Sequence, residues 1–283
     1  MFIVKPRPST SQLLEDILLI IGQASEILRL EYQNYCAGKG FIVEHKSDKS
    51  PVTQADYRVN EYIIEQLRQI SELPILSEEI QQTQEKKWNK FWLLDPLDGT
   101  KEFLHQRPEF TINLSIVENG QTIFAVLAIP CEFTVYIAPE SGAPLKYNYQ
   151  NKEWASFIDI SERNSSQVTV GLSQSSQQKP QYEEFLNKLE QVAKFKTYKA
   201  GSAYKFCMML EDKIDLYPRF HPTCEWDTSA GQCLLERVNG GLVSLKGEPF
   251  YYNQRNTFLN HGFIAYRNIE MKHLAFNVLE LMS

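Results

Sequence analysis

The sequence has no C-x-x-C pair, and its cysteines, Cys36, Cys131, Cys207, Cys224 and Cys233, are odd in number and scattered. Neither a disulfide framework nor a zinc site is indicated, and a reducing compartment suits them. The histidines form no spaced ligand set, and no cysteine stands near a candidate base. An excess of positive charge is also missing: 29 Lys and Arg stand against 35 Asp and Glu, for a net charge of −6. General nucleic-acid binding relies on Lys and Arg neutralising phosphates, so this balance argues against a polymer partner and fits a site that gathers cations. The most apolar stretch, Ile17 to Ile21, is far too short to span a bilayer, and no basic region with an apolar signal core leads the chain. The expectation is a cytoplasmic protein, neither anchored nor exported. A P-loop, internal repeats, low-complexity tracts and heptads are absent, and Gly171-Leu172-Ser173-Gln174-Ser175 lacks the final glycine of a nucleophile elbow.

Against these absences stand 283 residues, 43% hydrophobic and 12% aromatic, enough for one large domain or two tightly joined ones. The most informative segment runs from Phe91 to Phe103. Phe91 to Leu94 is an unbroken aromatic and aliphatic run, as in a buried strand, so Asp95 falls at a strand end. Pro96 turns the chain and lets Asp98 swing back toward Asp95, with the Leu97 carbonyl between them as a third oxygen. Hard cations such as Mg²⁺ take this all-oxygen set. Gly99 allows close approach of a ligand, and the amides of Gly99, Thr100 and Lys101 would face a bound anion. The alternative is an Asp-Pro-x-Asp-Gly surface turn.

Two further acidic segments weigh against that alternative. Leu73-Pro74-Ile75-Leu76-Ser77-Glu78-Glu79 is another short apolar strand ending in carboxylates, and Glu225-Trp226-Asp227-Thr228-Ser229-Ala230-Gly231 sets an acid before a helix-compatible stretch. Each alone reads as a solvated loop. Together they resemble the ligand supply of a phosphatase whose cations stand about 3.5 to 4 Å apart.

Residues 10 to 35 read as a helix, with Ser9 and Gln12 as a possible capping box. After the polar loop Lys46-Ser47-Asp48-Lys49-Ser50-Pro51, a second helix carries Val59, Tyr62, Ile63, Leu67 and Ile70 on one face, and Asp56 lies near its start. An acid there is most simply a cap or dipole partner. Residues 110–117 and 122–129 form a hairpin around Asn119-Gly120, and 134–137 continues an antiparallel sheet. The Ser-, Asn-, Gly- and Pro-rich stretch 139–166 reads as the boundary between an N-terminal α+β half, 1–160, and a C-terminal α/β half, 161–283. In the second half, strand 168–172, helix 181–193, helix 202–211, strand 213–217 and helix 226–238 alternate. The active site is expected in the crevice between the halves.

Ser50-Pro51-Val52-Thr53-Gln54-Ala55-Asp56, Leu76-Ser77-Glu78-Glu79, the segment from Asp95 to Phe103 and Trp226-Asp227-Thr228-Ser229-Ala230-Gly231 together resemble a known family. It is that of the lithium-sensitive, magnesium-dependent phosphomonoesterases, which include inositol monophosphatase, fructose-1,6-bisphosphatase and 3′(2′),5′-bisphosphate nucleotidase. Gly201-Ser202-Ala203-Tyr204-Lys205-Phe206-Cys207 and Leu216-Tyr217-Pro218-Arg219-Phe220 are most similar to the bacterial bisphosphate nucleotidases. The resemblance implies a layered αβαβα sugar-phosphatase fold, an α/β (α+β) arrangement with a larger, mainly antiparallel half. It implies that Glu78, Asp95, the Leu97 carbonyl, Asp98 and Asp227 hold two or three Mg²⁺ ions. Thr100, paired with Asp56, would orient and deprotonate the attacking water, a task Glu78 would share.

For substrate, the resemblance assigns nucleotide recognition to Ser202, Lys205 and Arg219, beside Gly99, Thr100, Lys101 and Asp227. The helix opening at Gly201-Ser202 would add backbone donors, and fixed positive charge at Lys205 and Arg219 suits a second phosphate. On the residues alone, Lys205 also reads as a solvated helix residue. The implied reaction converts adenosine 3′,5′-bisphosphate to AMP and phosphate in support of sulfate assimilation, with 3′-phosphoadenylyl sulfate as a further candidate substrate. Peripheral contact with the inner membrane is implied only by relatives. The rivals are an inositol or sugar monophosphatase and a metal- or nucleotide-binding sensor without turnover. Two departures stand out: Ser173-Gln174-Ser175-Ser176 replaces a Ser-Arg-Ser-His type segment, and Ser229 replaces an alanine. His221 reads as a loop residue.

Overall fold

In the computed structural model, residues 3–5, 11–46, 51–80, 87–157, 166–174, 176 and 179–282 are described. The chain opens with β1 (Ile3–Lys5), α1 (Gln12–Cys36), β2 (Val43–His45), β3 (Pro51–Thr53), α2 (Gln54–Ile70) and β4 (Ile75–Ser77). Next come β5 (Lys90–Asp98), α3 (Thr100–Leu104), β6 (Thr111–Glu118), β7 (Gln121–Ile129), a 3₁₀ turn over Pro130–Glu132, β8 (Thr134–Ala138), β9 (Leu145–Asn148) and β10 (Glu153–Ser156). The second half holds β11 (Val168–Leu172), α4 (Pro180–Val192), β12 (Phe195–Lys199), α5 (Tyr204–Leu210), β13 (Leu216–Arg219) and β14 (Thr223–Cys224). It ends with α6 (Glu225–Glu236), β15 (Gly241–Ser244), β16 (Leu259–Asn260), β17 (Phe263–Tyr266) and α7 (Ile269–Glu280).

The unbroken apolar run of β5 has a direct physical cause, because both faces of its sheet are covered. Trp92 and Leu94 point into a cluster with Ile17, Ile21 and Leu28 of α1 and Val59, Ile63 and Leu67 of α2. Phe91 and Leu93 point the other way, toward Phe206 and Met209 of α5 and Ala230 and Leu234 of α6. This sheet has eight strands in the order β1-β10-β9-β8-β7-β6-β5-β4, antiparallel except where β4 runs parallel to β5. The second sheet, β12-β11-β13-β17-β15, sends Tyr217, Leu242 and Phe263 into the α5/α6 layer. Its opposite face, with Val170, Leu172, Leu216 and Ile264, is covered by α4 and α7. The layers are therefore αβαβα, as expected, and the α5/α6 layer is shared by both sheets.

Several expected boundaries move. Ser11, not Ser9, caps α1, accepting from the Leu14 amide at 3.3 Å, and Ser9 lies outside the described residues. Stretch 139–166 is not only a boundary, since β9 and β10 extend the large sheet and Tyr147 packs on Trp154 across the strands at 4.5 Å. The division at 160/161 falls within 158–165, outside the described residues. The helix expected over 202–211 is confined to Tyr204–Leu210, and the strand expected over 213–217 runs Leu216–Arg219. In between, Asp212 takes a positive φ of 57°, and the amides of Lys213 and Ile214 return to the Met208 carbonyl.

The Ser229 departure is accommodated locally: this fully buried hydroxyl pairs with Thr122 Oγ1 of β7 at 2.7 Å. Two residues on, Gly231 lets α6 meet α5 closely, because a Cβ there would run into the Phe206 ring. Phe206 is itself 1% exposed and cannot swing away. Gly231→Ala should therefore destabilise the fold by about 1–3 kcal/mol through overpacking. A denaturant midpoint no lower than wild type would show that this contact is soft.

Candidate active site

Because β4 and β5 run parallel, their carboxyl-terminal ends lie side by side: Ser77 pairs with Leu94, and the Glu78 amide donates to the Leu94 carbonyl at 3.1 Å. The acids that follow the two apolar strands are thus delivered to one edge. β5 pairs with β6 through Asp95 opposite Asn113 and Asp98 opposite Thr111, with an irregularity between the two positions that accommodates Pro96. The Leu97 amide donates to Asp95 Oδ1 at 3.1 Å, closing the tight turn. Asp227 arrives from the first turn of α6, where its Oδ2 accepts from the Cys224 amide at 2.7 Å. Carboxylate oxygens of Asp95, Asp98 and Asp227 lie within 4.8 Å of one another.

Asp56 occupies the equivalent place on α2. Its Oδ2 accepts from the Thr53 amide at 2.8 Å and from Thr53 Oγ1 at 2.6 Å, so it is a helix cap, as its position alone suggests. The other oxygen accepts from Thr100 Oγ1 at 3.1 Å, giving the carboxylate a second employment. Thr100 Oγ1 also lies 3.4 Å from the Leu97 carbonyl. Gly99, between Asp98 and Thr100, has φ +99°, and a Cβ there would come within 3.1 Å of Ser202 Cβ and 3.3 Å of Phe110 Cα. Glycine is required here on both counts.

Like charges held this close, away from water, resist ionisation. Burial, followed by the charge of Glu78, Asp98 and Asp227, raises Asp95 well above the usual carboxylate range. Burial and then Asp98 do the same to Asp227. Burial pushes Asp98 up to about 6 against hydrogen bonds from the Ala203 amide and Asn113 that pull it down. Asp95 Oδ2 is buried without a hydrogen-bond partner among the described residues. An orphaned carboxylate oxygen facing other carboxylates fits a hard divalent cation with oxygen ligands. Glu78 shows the same demand: Lys46 Nζ lies 2.7 Å from Glu78 Oε1 and 2.7 Å from Glu79 Oε1, a cation clasped between the two acids. Burial alone would lower the Lys46 ammonium, but Glu78 and Glu79 override it and hold it above its ordinary value.

A pH dependence follows in Mg²⁺-free solution. Burial carries Asp56 from its ordinary 3.8 up to about 6, so between these values the native state holds a proton that the unfolded chain releases. Unfolding then becomes easier as pH rises, at a cost of about 3 kcal/mol for Asp56 alone once pH exceeds the native value. In chelator, the thermal midpoint should fall by several degrees from pH 5 to pH 8, and Mg²⁺ should restore it at pH 8. A midpoint that rises over that interval would contradict the electrostatics.

These groups border a cavity of about 610 Å³ lined by Glu78, Asp98, Gly99, Thr100, Lys101 and Asp227, and by Ser202, Lys205 and Arg219 from the second half. Asp56, Asp95 and Leu97, each 1% exposed, sit behind that wall. The segment around Ser202 is organised differently from the expectation of free backbone donors. The Gly201 amide donates to Glu109 Oε2 at 2.8 Å, the Ala203 amide to Asp98 Oδ2 at 2.6 Å and the Tyr204 amide to Ser202 Oγ at 3.1 Å. Lys205 is not a solvated helix residue either. It is 1% exposed, its ammonium donates to the carbonyls of Ala200 at 3.0 Å and Ser202 at 2.8 Å, and it lies 4.8 Å from the Tyr217 ring.

Sequence reasoning missed Lys46, Glu109 and Asn113. Asn113 donates to Asp98 Oδ2 at 3.3 Å and to the Trp226 carbonyl at 3.4 Å, tying β5 to α6. A polar residue inside the apolar strand of β6 was its available signal.

The model of the inositol monophosphatase family matches residues 10–276. The chain belongs to the inositol monophosphatase family. Among curated relatives, the 3′(2′),5′-bisphosphate nucleotidase CysQ of Escherichia coli (strain K12) is 34% identical over 234 residues, covering 82% of this chain and 91% of the relative. The enzyme of the same name from Aggregatibacter actinomycetemcomitans is 32% identical over 260 residues, covering 90% and 93%. Among solved structures, CysQ from Bacteroides thetaiotaomicron superposes with a TM-score of 0.76 at 26% identity, over 92% of this chain and 99% of that one. Inositol monophosphatase-II from Staphylococcus aureus shares the fold, with a TM-score of 0.74 at 18% identity over 96% and 94%. Members of the inositol monophosphatase family are metal-dependent, which agrees with the acidic cluster. No helix among the described residues is long and apolar enough to cross a membrane.

Proposed function

We propose that this protein is a Mg²⁺-dependent 3′(2′),5′-bisphosphate nucleotidase, hydrolysing adenosine 3′,5′-bisphosphate to AMP and phosphate, with 3′-phosphoadenylyl sulfate as a second substrate. The observation that carries the reading is one cavity with carboxylates of Asp98 and Asp227 and the guanidinium of Arg219 on its wall, in a chain 34% identical to nucleotidases over 82% of its length. The acids of the N-terminal half, 1–160, would hold the cations with Asp227, and the C-terminal half, 161–283, would supply the nucleotide contacts.

Glu78, Asp95, the Leu97 carbonyl, Asp98 and Asp227 are the residues that would hold two or three Mg²⁺ ions. Bound there, Mg²⁺ supplies Lewis-acid charge at the reacting phosphoryl group. The chain's own contribution to proton transfer is the pair Thr100 and Asp56. The Thr100 hydroxyl donates to Asp56 Oδ1 at 3.1 Å, which turns its lone pairs outward to accept a hydrogen from the attacking water. Asp56, pushed up to about 6 by burial, is ionised at neutral pH yet basic enough to take the relayed proton. Glu78, at the neighbouring strand end, shares the water. Gly99, Lys101 and Ser202 line the same wall and would position the phosphate, and Lys205 holds the 200–202 carbonyls so that the Ser202 turn keeps its shape.

The test is phosphate release from adenosine 3′,5′-bisphosphate and from inositol 1-phosphate under identical conditions. The proposal requires a clear preference for the bisphosphate. Preference for inositol 1-phosphate would leave the metal site standing and discard the substrate.

A further inference from the structure

The cavity wall carries both signs of charge, and the carboxylates account for only one of them. Lys179, just before α4, and His221, just after β13, line it together with Lys101 and Arg219. Two buried nitrogens in this group, Arg219 Nε and His221 Nε2, have no hydrogen-bond partner among the described residues. Buried polar atoms are ordinarily satisfied, so a pair of them on the wall of one cavity points to a ligand that brings acceptors.

The fold holds these groups at fixed places. Tyr182, in the first turn of α4, packs against Phe220 at 4.9 Å and His221 at 5.6 Å, and its hydroxyl accepts from the Phe220 amide at 3.3 Å. The start of α4, with Lys179 at its N-cap, is thereby docked on the segment that carries Arg219 and His221. Ser173 and Gln174 also line the cavity but bring no charge; Lys179, Arg219 and His221 bring it, with Lys101 added from α3.

The electrostatics agree with convergence. Burial first, then Arg219 and Lys101, lowers the Lys179 ammonium, and burial first, then Lys179 and Arg219, lowers His221. Burial alone would lower Arg219, but Tyr217, Tyr182, Asp227 and Asp98 outweigh it, so the guanidinium stands beside Lys179 and His221 as a fixed positive charge that a phosphate dianion would complement.

We propose that Lys179 and His221, together with Arg219, form the subsite for the second, non-reacting phosphoryl group of the substrate, with Lys179 as a specificity-determining residue. The inference rests on the bisphosphate reading above, and it assigns the second phosphate to groups outside the Ser202 and Lys205 turn. Lys205 spends two donors on backbone carbonyls, whereas Arg219 and His221 have donors to offer.

The test is the ratio of kcat/KM for adenosine 3′,5′-bisphosphate to that for adenosine 3′-monophosphate. Lys179→Met, which keeps the aliphatic stem, should lower this ratio tenfold or more through the KM of the bisphosphate. Lys179→Arg should restore most of it, and His221→Asn should lower it by a smaller factor. Loss of a merely structural contact would reduce both substrates alike and leave the ratio in place. A wild-type ratio well above one with an unmoved ratio in Lys179→Met would overturn the subsite and leave the nucleotidase reading intact. A wild-type ratio near one would overturn both.

Discussion

Asp95→Asn is expected to reduce turnover by roughly a thousandfold or more while making the Mg²⁺-free protein more stable at pH 8. Asparagine is isosteric and keeps an oxygen for the Leu97 amide, which Asp95 Oδ1 accepts at 3.1 Å. The orphaned Oδ2 becomes an amide nitrogen whose hydrogens face Glu78, Asp98 and Asp227, so repulsion turns into hydrogen bonding. A buried carboxylate that costs stability alone and is needed for turnover is the signature of a ligand, and loss of several kcal/mol of transition-state charge stabilisation corresponds to about that fall in rate. Circular dichroism and thermal unfolding in chelator, with phosphate release in Mg²⁺, separate the two effects. Full activity in the variant would remove Asp95 from the metal site. Asp98→Ala should also lose turnover and keep its fold, but Asp98 additionally accepts from the Ala203 amide at 2.6 Å, so its stability readout is less clean.

The second large effect is expected at Thr100 and Asp56. Thr100→Val removes the hydroxyl between Asp56 and the water site, and Asp56→Asn reverses the direction of the 3.1 Å hydrogen bond because an amide would donate to the hydroxyl. Each should lower kcat by about 10² to 10⁴-fold, the usual yield of a positioned general base. The double variant should be little worse than either single one, since both break one relay. Additive losses would mean that the two residues act separately. Asp56→Asn keeps an oxygen for the Thr53 amide and hydroxyl and removes a buried charge, so the Mg²⁺-free protein should be no less stable at pH 8, and Thr100→Val should hold its stability as well.

Much of the site was legible because burial and function leave opposite marks on a strand. Phe91 to Leu94 reads as a buried strand, so an acid directly after it falls at a strand end rather than on a solvated surface. The same logic applies to Glu78 after Leu73 to Leu76, whereas Asp227 stands before a helix-compatible stretch and its role came with the family resemblance. Asp56 was ambiguous for a physical reason: one of its oxygens is a helix cap and the other meets Thr100, and spacing along one helix reveals only the first. Lys46 could not be paired from the sequence, because its contacts with Glu78 and Glu79 span more than thirty residues and depend on where β2 and β4 come to lie. The burial of Lys205 was hidden too, since a lysine beside Tyr204 and Phe206 fits a solvated helix face as well as a central layer shared by two sheets. Stretch 139–166 looked like a linker because turn residues outnumber strand formers there. The cross-strand packing of Tyr147 on Trp154 outweighs that composition.

The most direct check on the account is phosphate release from adenosine 3′,5′-bisphosphate as free Mg²⁺ is titrated from excess chelator upward. No turnover is expected in chelator, with full recovery on adding Mg²⁺ and no recovery in Asp95→Asn at concentrations that saturate the wild type. Turnover that persists in chelator, or that Asp95→Asn matches at every Mg²⁺ concentration, would contradict it.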